Sequence, residues 1–291
     1  MTLNEKINWA NLLIAFGISY AILTNYREYK TLKKIYTAVN SPTSIPSGED
    51  AILIGRIKNE VLSDIEKSNL FNKFGKQFVL DSIRNTNFKI VDTIDFLESE
   101  EGYMTLACFL DISRIKNQIK NHLLNVPSGD NFIIIQRSTM TKPNIASTIT
   151  HEIYHYLDKL IGDDNDYSRK SKLSRFIDTR VDDKEAAIRK LSIILFEELP
   201  DTKKMDILLD TYNDISNDRK YFSSDVEIFA RYKTLKHDMV RQGVLSDSNE
   251  KLTIRKIAEF LSRCEPDEKL RNFRFIFYLD LGKLDELDKI L

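Results

Sequence analysis

The chain has 291 residues, 43 basic and 44 acidic side chains and a net charge of −1, with 42 % apolar and 30 % charged residues. That composition is globular rather than disordered, and the charge balance excludes a protein that coats nucleic acid. Two cysteines exclude a disulfide scaffold and a cysteine-rich zinc module, and nine glycines exclude a Gly-repeat architecture. Residues 7–26 carry no charge and lie between Lys6 and Arg27. One helix of that length crosses a bilayer. Trp9 and Tyr26 stand near its ends, where amphipathic rings favour the interface, and Arg27, Lys30, Lys33 and Lys34 follow. The positive-inside bias then keeps the body of the chain in the cytoplasm. Two other readings stay open: a signal peptide cleaved near Ser19-Tyr20-Ala21, and a helix buried against protein. Residues 1–40 are read as an N-terminal hydrophobic helix, and 41–50, with two prolines and a glycine, as a linker.

Beyond the linker the pattern is α+β. Helical spacing covers 51–66 and 71–83, residues 88–96 alternate as a strand, and 103–110 read as a second strand before a helix over 112–124. A turn at 126–131 leads into Phe132–Ile135, a short apolar strand. Pro143-Asn144 breaks the chain, and a helix begins at Ile145 and runs to about Leu160. Helices follow at 182–198, 203–214, 225–241, 251–262 and 268–281. One domain over 51–291 therefore has an α+β part, 51–160, and a mainly helical part, 161–291.

The chemistry-bearing motif lies where those parts meet: His151-Glu152-Ile153-Tyr154-His155. Histidines at i and i+4 share one helix face, one turn apart, so their rings can reach one zinc ion. Glu152 is offset, so its carboxylate can hold the attacking water without being a ligand. Zinc lowers the pKa of that water toward about 7, and the glutamate takes its proton. With only four histidines in the chain, this spacing is rare by chance. The apolar Ile153, Tyr154, Leu157 and Leu160 leave another face of the helix to pack on a core.

A hydrolytic zinc site needs a third protein ligand. Asp158 and Ile161 stand where the metzincin extension requires Gly and His, which excludes that group. His122 and His237 are the other histidines, and His237 reads as an ordinary surface residue. Among later acids, Glu185, Glu197 and Glu198 lie on a helix that opens with a charge run and fits a solvated face. Glu227 has the most distinctive setting, because Ser224 or Asp225 can cap a helix whose first turn carries it. Glu185 remains its alternative. Asp158 is either an orienting partner for a ligand imidazole or an exposed helix acid. Arg231 can pair with Glu227 or with Asp158. Cys108 and Cys264 read as free thiols.

The HEIYHYLD segment, followed by Glu227-Ile228-Phe229-Ala230 with Tyr221 upstream, resembles the gluzincin clan of zinc metallopeptidases. More narrowly it is similar to the anthrax lethal factor catalytic domain with its relatives, and to zincin-like domains of phage and mobile-element polyproteins. The resemblance covers roughly 125–235 and rests on His151, Glu152, His155, Asp158, Tyr221 and Glu227. It departs from the toxin in a longer gap between His155 and Glu227. Tyr221 is also one residue closer to Glu227, and Arg231 stands where the toxin has an acid.

The resemblance implies a zincin-like metallopeptidase fold, in which a small mixed sheet and an active-site helix precede a mainly helical C-terminal half. It also implies one zinc ion held by His151, His155 and Glu227, with Glu152 as general base. Tyr221, or Tyr232 in its place, would be the oxyanion donor. The expected partner is a protein or peptide substrate and not a nucleic acid, with membrane association through residues 7–26. The protein would be membrane-anchored with a cytoplasmic catalytic domain, or virion-associated. The competing expectation is a virion or mobile-element structural or assembly protein that keeps a zincin fold without relevant turnover.

Overall fold

A computed structural model of the chain describes residues 34–35, 37–68, 75–94, 107–110, 132–162, 176, 225–263 and 280–290. Residues 7–26, His122, Glu185, Glu197, Glu198, Tyr221 and Cys264 lie outside them, as do the helices expected at 112–124, 182–198 and 203–214. Among the described residues no helix is long and apolar enough to cross a membrane. The fold they show is mixed α+β and mostly helical, with one three-stranded sheet. The chain divides into two compact units. One takes in the residues up to Pro46 and those of Thr86–Thr139; the other takes Ser47–Asn85 and the residues from Met140 on.

The first unit holds the sheet, ordered β1-β3-β2. Strand β1 is Asn87–Val91, β2 is Ala107–Leu110 and β3 is Phe132–Gln136. Phe132-Ile133-Ile134-Ile135 has no polar alternation because β3 is central and buried on both faces. It pairs parallel with β1, Phe88 opposite Ile133, and antiparallel with β2, Ala107 opposite Ile135. One side of the sheet packs Val91, Ile94, Phe132 and Ile134 with Ile35 and Val39, and with the half-buried Cys108, which is in no disulfide. The expected strand over 88–96 stops at Val91. Just beyond, Asp92 accepts from Arg137 Nε at 2.9 Å, while Arg137 Nη2 donates to the Thr43 carbonyl at 2.9 Å. Residues 41–47 form an ordered turn around a short 3₁₀ segment, Pro42–Ser44. The buried Ser44 hydroxyl donates there to the Val39 and Ser41 carbonyls.

The second unit is helical. Helix α1, Gly48–Lys67, buries Ile54, Ile57, Val61 and Ile65 at helical spacing, with Asp64 on the same flank. Helix α2, Lys76–Arg84, starts later than the expected residue 71 because Gly75, at φ +75°, holds the left-handed turn before it. Helix α3 is Ile145–Gly162 and α4 is Asp225–Arg241; they pack along each other. Tyr154 of α3 meets Phe229 of α4 edge to face, ring centroids 6.3 Å apart. Helix α4 is buried around its whole circumference from Glu227 to Met239. Its C-terminus is closed by Gly243 at φ +68°. Val244 N–H reaches the Met239 carbonyl and Gly243 N–H reaches Val240, both at 2.9 Å. Helix α5, Ile254–Arg263, and the short α6, Leu284–Ile290, complete the described residues. Asp288 of α6 accepts from Tyr232, Lys236 and the Leu252 backbone N–H, which ties the C-terminus to α4.

A candidate metal centre between two helices

Helix periodicity places the first two donors. His151 and His155 stand one turn apart on α3, while Ile149, Ile153 and Leu157 are buried in the core. Their Nε2 atoms are 2.9 Å apart, and the rings meet edge to face with centroids separated by 4.4 Å. His151 Nδ1 is buried without a hydrogen-bond partner, so that ring's polar engagement runs through Nε2.

The third donor arrives from α4. Glu227 lies in its first turn, where the N-terminal end of the helix dipole favours a negative charge. Its Oε1 is 3.2 Å from His155 Nε2, and its Oε2 is 3.4 Å from His151 Nε2. In a tetrahedral site with donors about 2.0–2.1 Å from the ion, neighbouring donors are about 3.3–3.4 Å apart. The observed spacings of 2.9, 3.2 and 3.4 Å are close to those edges. The three side chains could hold a metal ion. A small buried residue and one hydrogen bond mark the close approach of the helices. Ala230 is fully buried, and the Ser147 hydroxyl of α3 donates to Asp238 Oδ2 of α4 at 2.7 Å. That last pair is 91 residues apart, and nothing local in the sequence marks it.

Charge is distributed unevenly over the group. Burial alone would push the Glu227 carboxyl up, but its bonds to His151 and His155 and the nearby Arg231 outweigh burial and hold it well below the usual range. Arg231 Nε donates to Glu227 Oε2 at 2.9 Å, a buried pair one helical turn apart. Of the two pairings expected for Arg231, the one with Glu227 is thus present. His151 is pushed down to about 3 by burial, then by the charges of His155 and Arg231. His155 goes the other way. Burial opposes its charge, but the bond to Glu227 and the negative charges of Glu227 and Glu152 raise it. In the metal-free group His155 therefore takes up a proton more readily than an ordinary imidazole, and His151 resists one.

The remaining sequence candidates fall as follows. Glu152 is buried beside the group, near enough for its charge to act on His155. Asp158 is also buried, which removes its reading as an exposed helix acid. Tyr232 is fully buried, and its hydroxyl donates to Asp288 at 2.6 Å. Five residues along a helix turn it about 140° from Glu227, so it does not serve as the oxyanion donor there. The reading of His237 as a surface histidine is overturned. It is 3 % exposed, and its Nδ1 is hydrogen-bonded to the Asp64 carboxylate. Helix α4 is buried all round at that point and leaves no surface face for a histidine. No family model, no curated protein and no solved structure matches the chain.

Proposed function

We propose that the protein is a zinc-dependent endopeptidase of the zincin type, with one ion held by His151, His155 and Glu227. The observation that carries this reading is the convergence of two imidazoles and one ionised carboxylate at tetrahedral-edge spacing, from helices far apart in sequence. That donor set suits zinc, whereas magnesium and calcium favour oxygen donors throughout. A bound zinc ion supplies Lewis acidity, polarising the scissile carbonyl and making the attacking water acidic.

The chain's own residues do the rest. Glu152, buried next to His155, takes the water proton and passes it to the leaving amine. Arg231 keeps Glu227 ionised and fixes its orientation. Tyr221 is the proposed hydrogen-bond donor to the developing oxyanion. Residues 7–26 are proposed as a membrane tether. Complete release of the full-length chain from membranes by carbonate would count against the tether.

The experiment is turnover of a generic unfolded protein by zinc-loaded wild type and by Glu152→Gln. Glutamine keeps the shape and cannot accept a proton, so zinc content should hold while hydrolysis falls by orders of magnitude. Equal turnover by the two would sink Glu152 as the base. No turnover by either, at full zinc content, would favour a structural protein that keeps the metal group.

A further inference from the structure

The C-terminal half of α4 carries a second set of donors that the group around Glu227 does not use. His237 is 3 % exposed and lines an open groove of about 850 Å³ between α1 and the end of α4. Its Nδ1 is bonded to the carboxylate of Asp64, which is buried on α1. A carboxylate accepts, so in the tautomer that suits this bond Nδ1 donates and Nε2 is the ring's acceptor. That Nε2 is buried and has no hydrogen-bond partner. Glu60 Oε2 lies 3.7 Å from it. This exceeds hydrogen-bonding distance.

We infer that His237 Nε2 and Glu60 Oε2 form a second, weaker site for a divalent transition metal, with water completing the coordination. Three observations support it. First, a carboxylate behind the far nitrogen of an imidazole is the usual support of a metal-ligating histidine: it fixes the tautomer and strengthens the donor. Second, two donors at about 2.1 Å from one ion and 3.7 Å from each other subtend an angle of about 125° at the ion, open to distorted tetrahedral geometry. Third, Glu60 and Asp64 are one turn apart on α1, so a single helix face supplies both the ligand and its support.

Two arginines that line the groove are engaged with other oxygens. Arg56 lies 3.8 Å from the other Glu60 oxygen, Oε1, and Arg241 is paired with Asp238 at 3.1 Å. One imidazole with a carboxylate selects zinc, cobalt, nickel or copper over magnesium and calcium. His237 lies ten residues beyond Glu227 on α4, a rise of about 15 Å, so the two ions do not share a ligand.

The test uses the full chain, stripped of metal and titrated with Co²⁺ by calorimetry and visible absorbance. Wild type should bind two ions, the second at least tenfold more weakly. Glu60→Gln should lose the weaker ion only. Glu60 is a partly exposed side chain outside the core, so this substitution leaves the fold intact even where His237→Ala, which leaves Asp64 buried without its partner, does not. Only one ion in wild type, or a second ion bound equally well by Glu60→Gln, would overturn the inference. It does not rest on the peptidase reading, which His151→Ala tests separately through the tighter ion.

Discussion

Replacing Glu227 by glutamine separates what the carboxylate does for a metal from what it does for the fold. Glutamine is nearly isosteric but carries no charge. The Glu227 carboxylate lies against His155 at 3.2 Å, His151 at 3.4 Å and Arg231 at 2.9 Å. Arg231 and Glu227 are both nearly buried, with side chains 11 % and 10 % exposed. Removing one member of a buried ion pair leaves the other charge uncompensated, at about 3–5 kcal/mol. For a chain of this size each kcal/mol moves Tm by about 2–4 °C, so the metal-free variant should melt at least about 6 °C below wild type. Changing Arg231 to Met in the same chain should recover much of that loss. Metal affinity should respond differently. Losing a partner behind a ligand typically costs about 10–100-fold, so losing a ligand should cost more than about 100-fold, and Arg231→Met should not rescue it. The assays are thermal unfolding of the stripped proteins and competition with a chromogenic zinc chelator. Wild-type zinc affinity in Glu227→Gln would refute the assignment. Unchanged metal-free stability would refute the buried-pair argument.

The pH dependence should change sign with metal. The raised His155 value means that its bond to Glu227 stabilises the metal-free protein fully below its ordinary pKa of 6.5, and that this contribution fades as pH rises through the raised value. Metal competes for the same nitrogen, so the increase in Tm on adding zinc should grow over that interval; an increase that is flat from pH 6 to 8 would contradict the proton assignment. Two glycines should respond oppositely to alanine in denaturant titrations. Gly243, at φ +68° with only ordinary contact to Arg263, should lose about 1–2 kcal/mol, whereas Gly55, inside α1 with open space at its Cβ, should gain about 0.5–1 kcal/mol. Tyr232→Phe leaves Asp288 without the hydroxyl that donates at 2.6 Å and should cost about 1–3 kcal/mol, read by urea unfolding.

Local pattern made some of this legible. The apolar run Phe132–Ile135 marked β3 as a strand, and the i, i+4 histidines needed only the helical repeat to share a face. Glu227 could be singled out because residues able to cap a helix, Ser224 and Asp225, precede it and a small residue, Ala230, follows. What escaped the sequence depends on pairings between distant segments. Nothing near Asn87 signals that it runs parallel to Phe132. Nothing near His237 shows that Asp64, 173 residues earlier, lies against it. Gly75 was visible, but only its positive φ shows that α2 begins after it. The burial of α4 on all sides hid behind its charged residues, several of which are satisfied by partners on other helices: Asp64 for His237, Asp288 for Lys236, Ser147 for Asp238.

The most direct measurement is X-ray absorption at the zinc edge of protein loaded with one equivalent of the metal, compared with Glu227→Ala. The account expects two imidazole nitrogens at about 2.0–2.1 Å and carboxylate oxygen at about 2.0–2.2 Å, with the imidazole signal persisting and the bound zinc much weaker in the variant. A wild-type spectrum without two imidazoles, or a variant whose spectrum and affinity match wild type, would contradict the claim that His151, His155 and Glu227 together hold the ion.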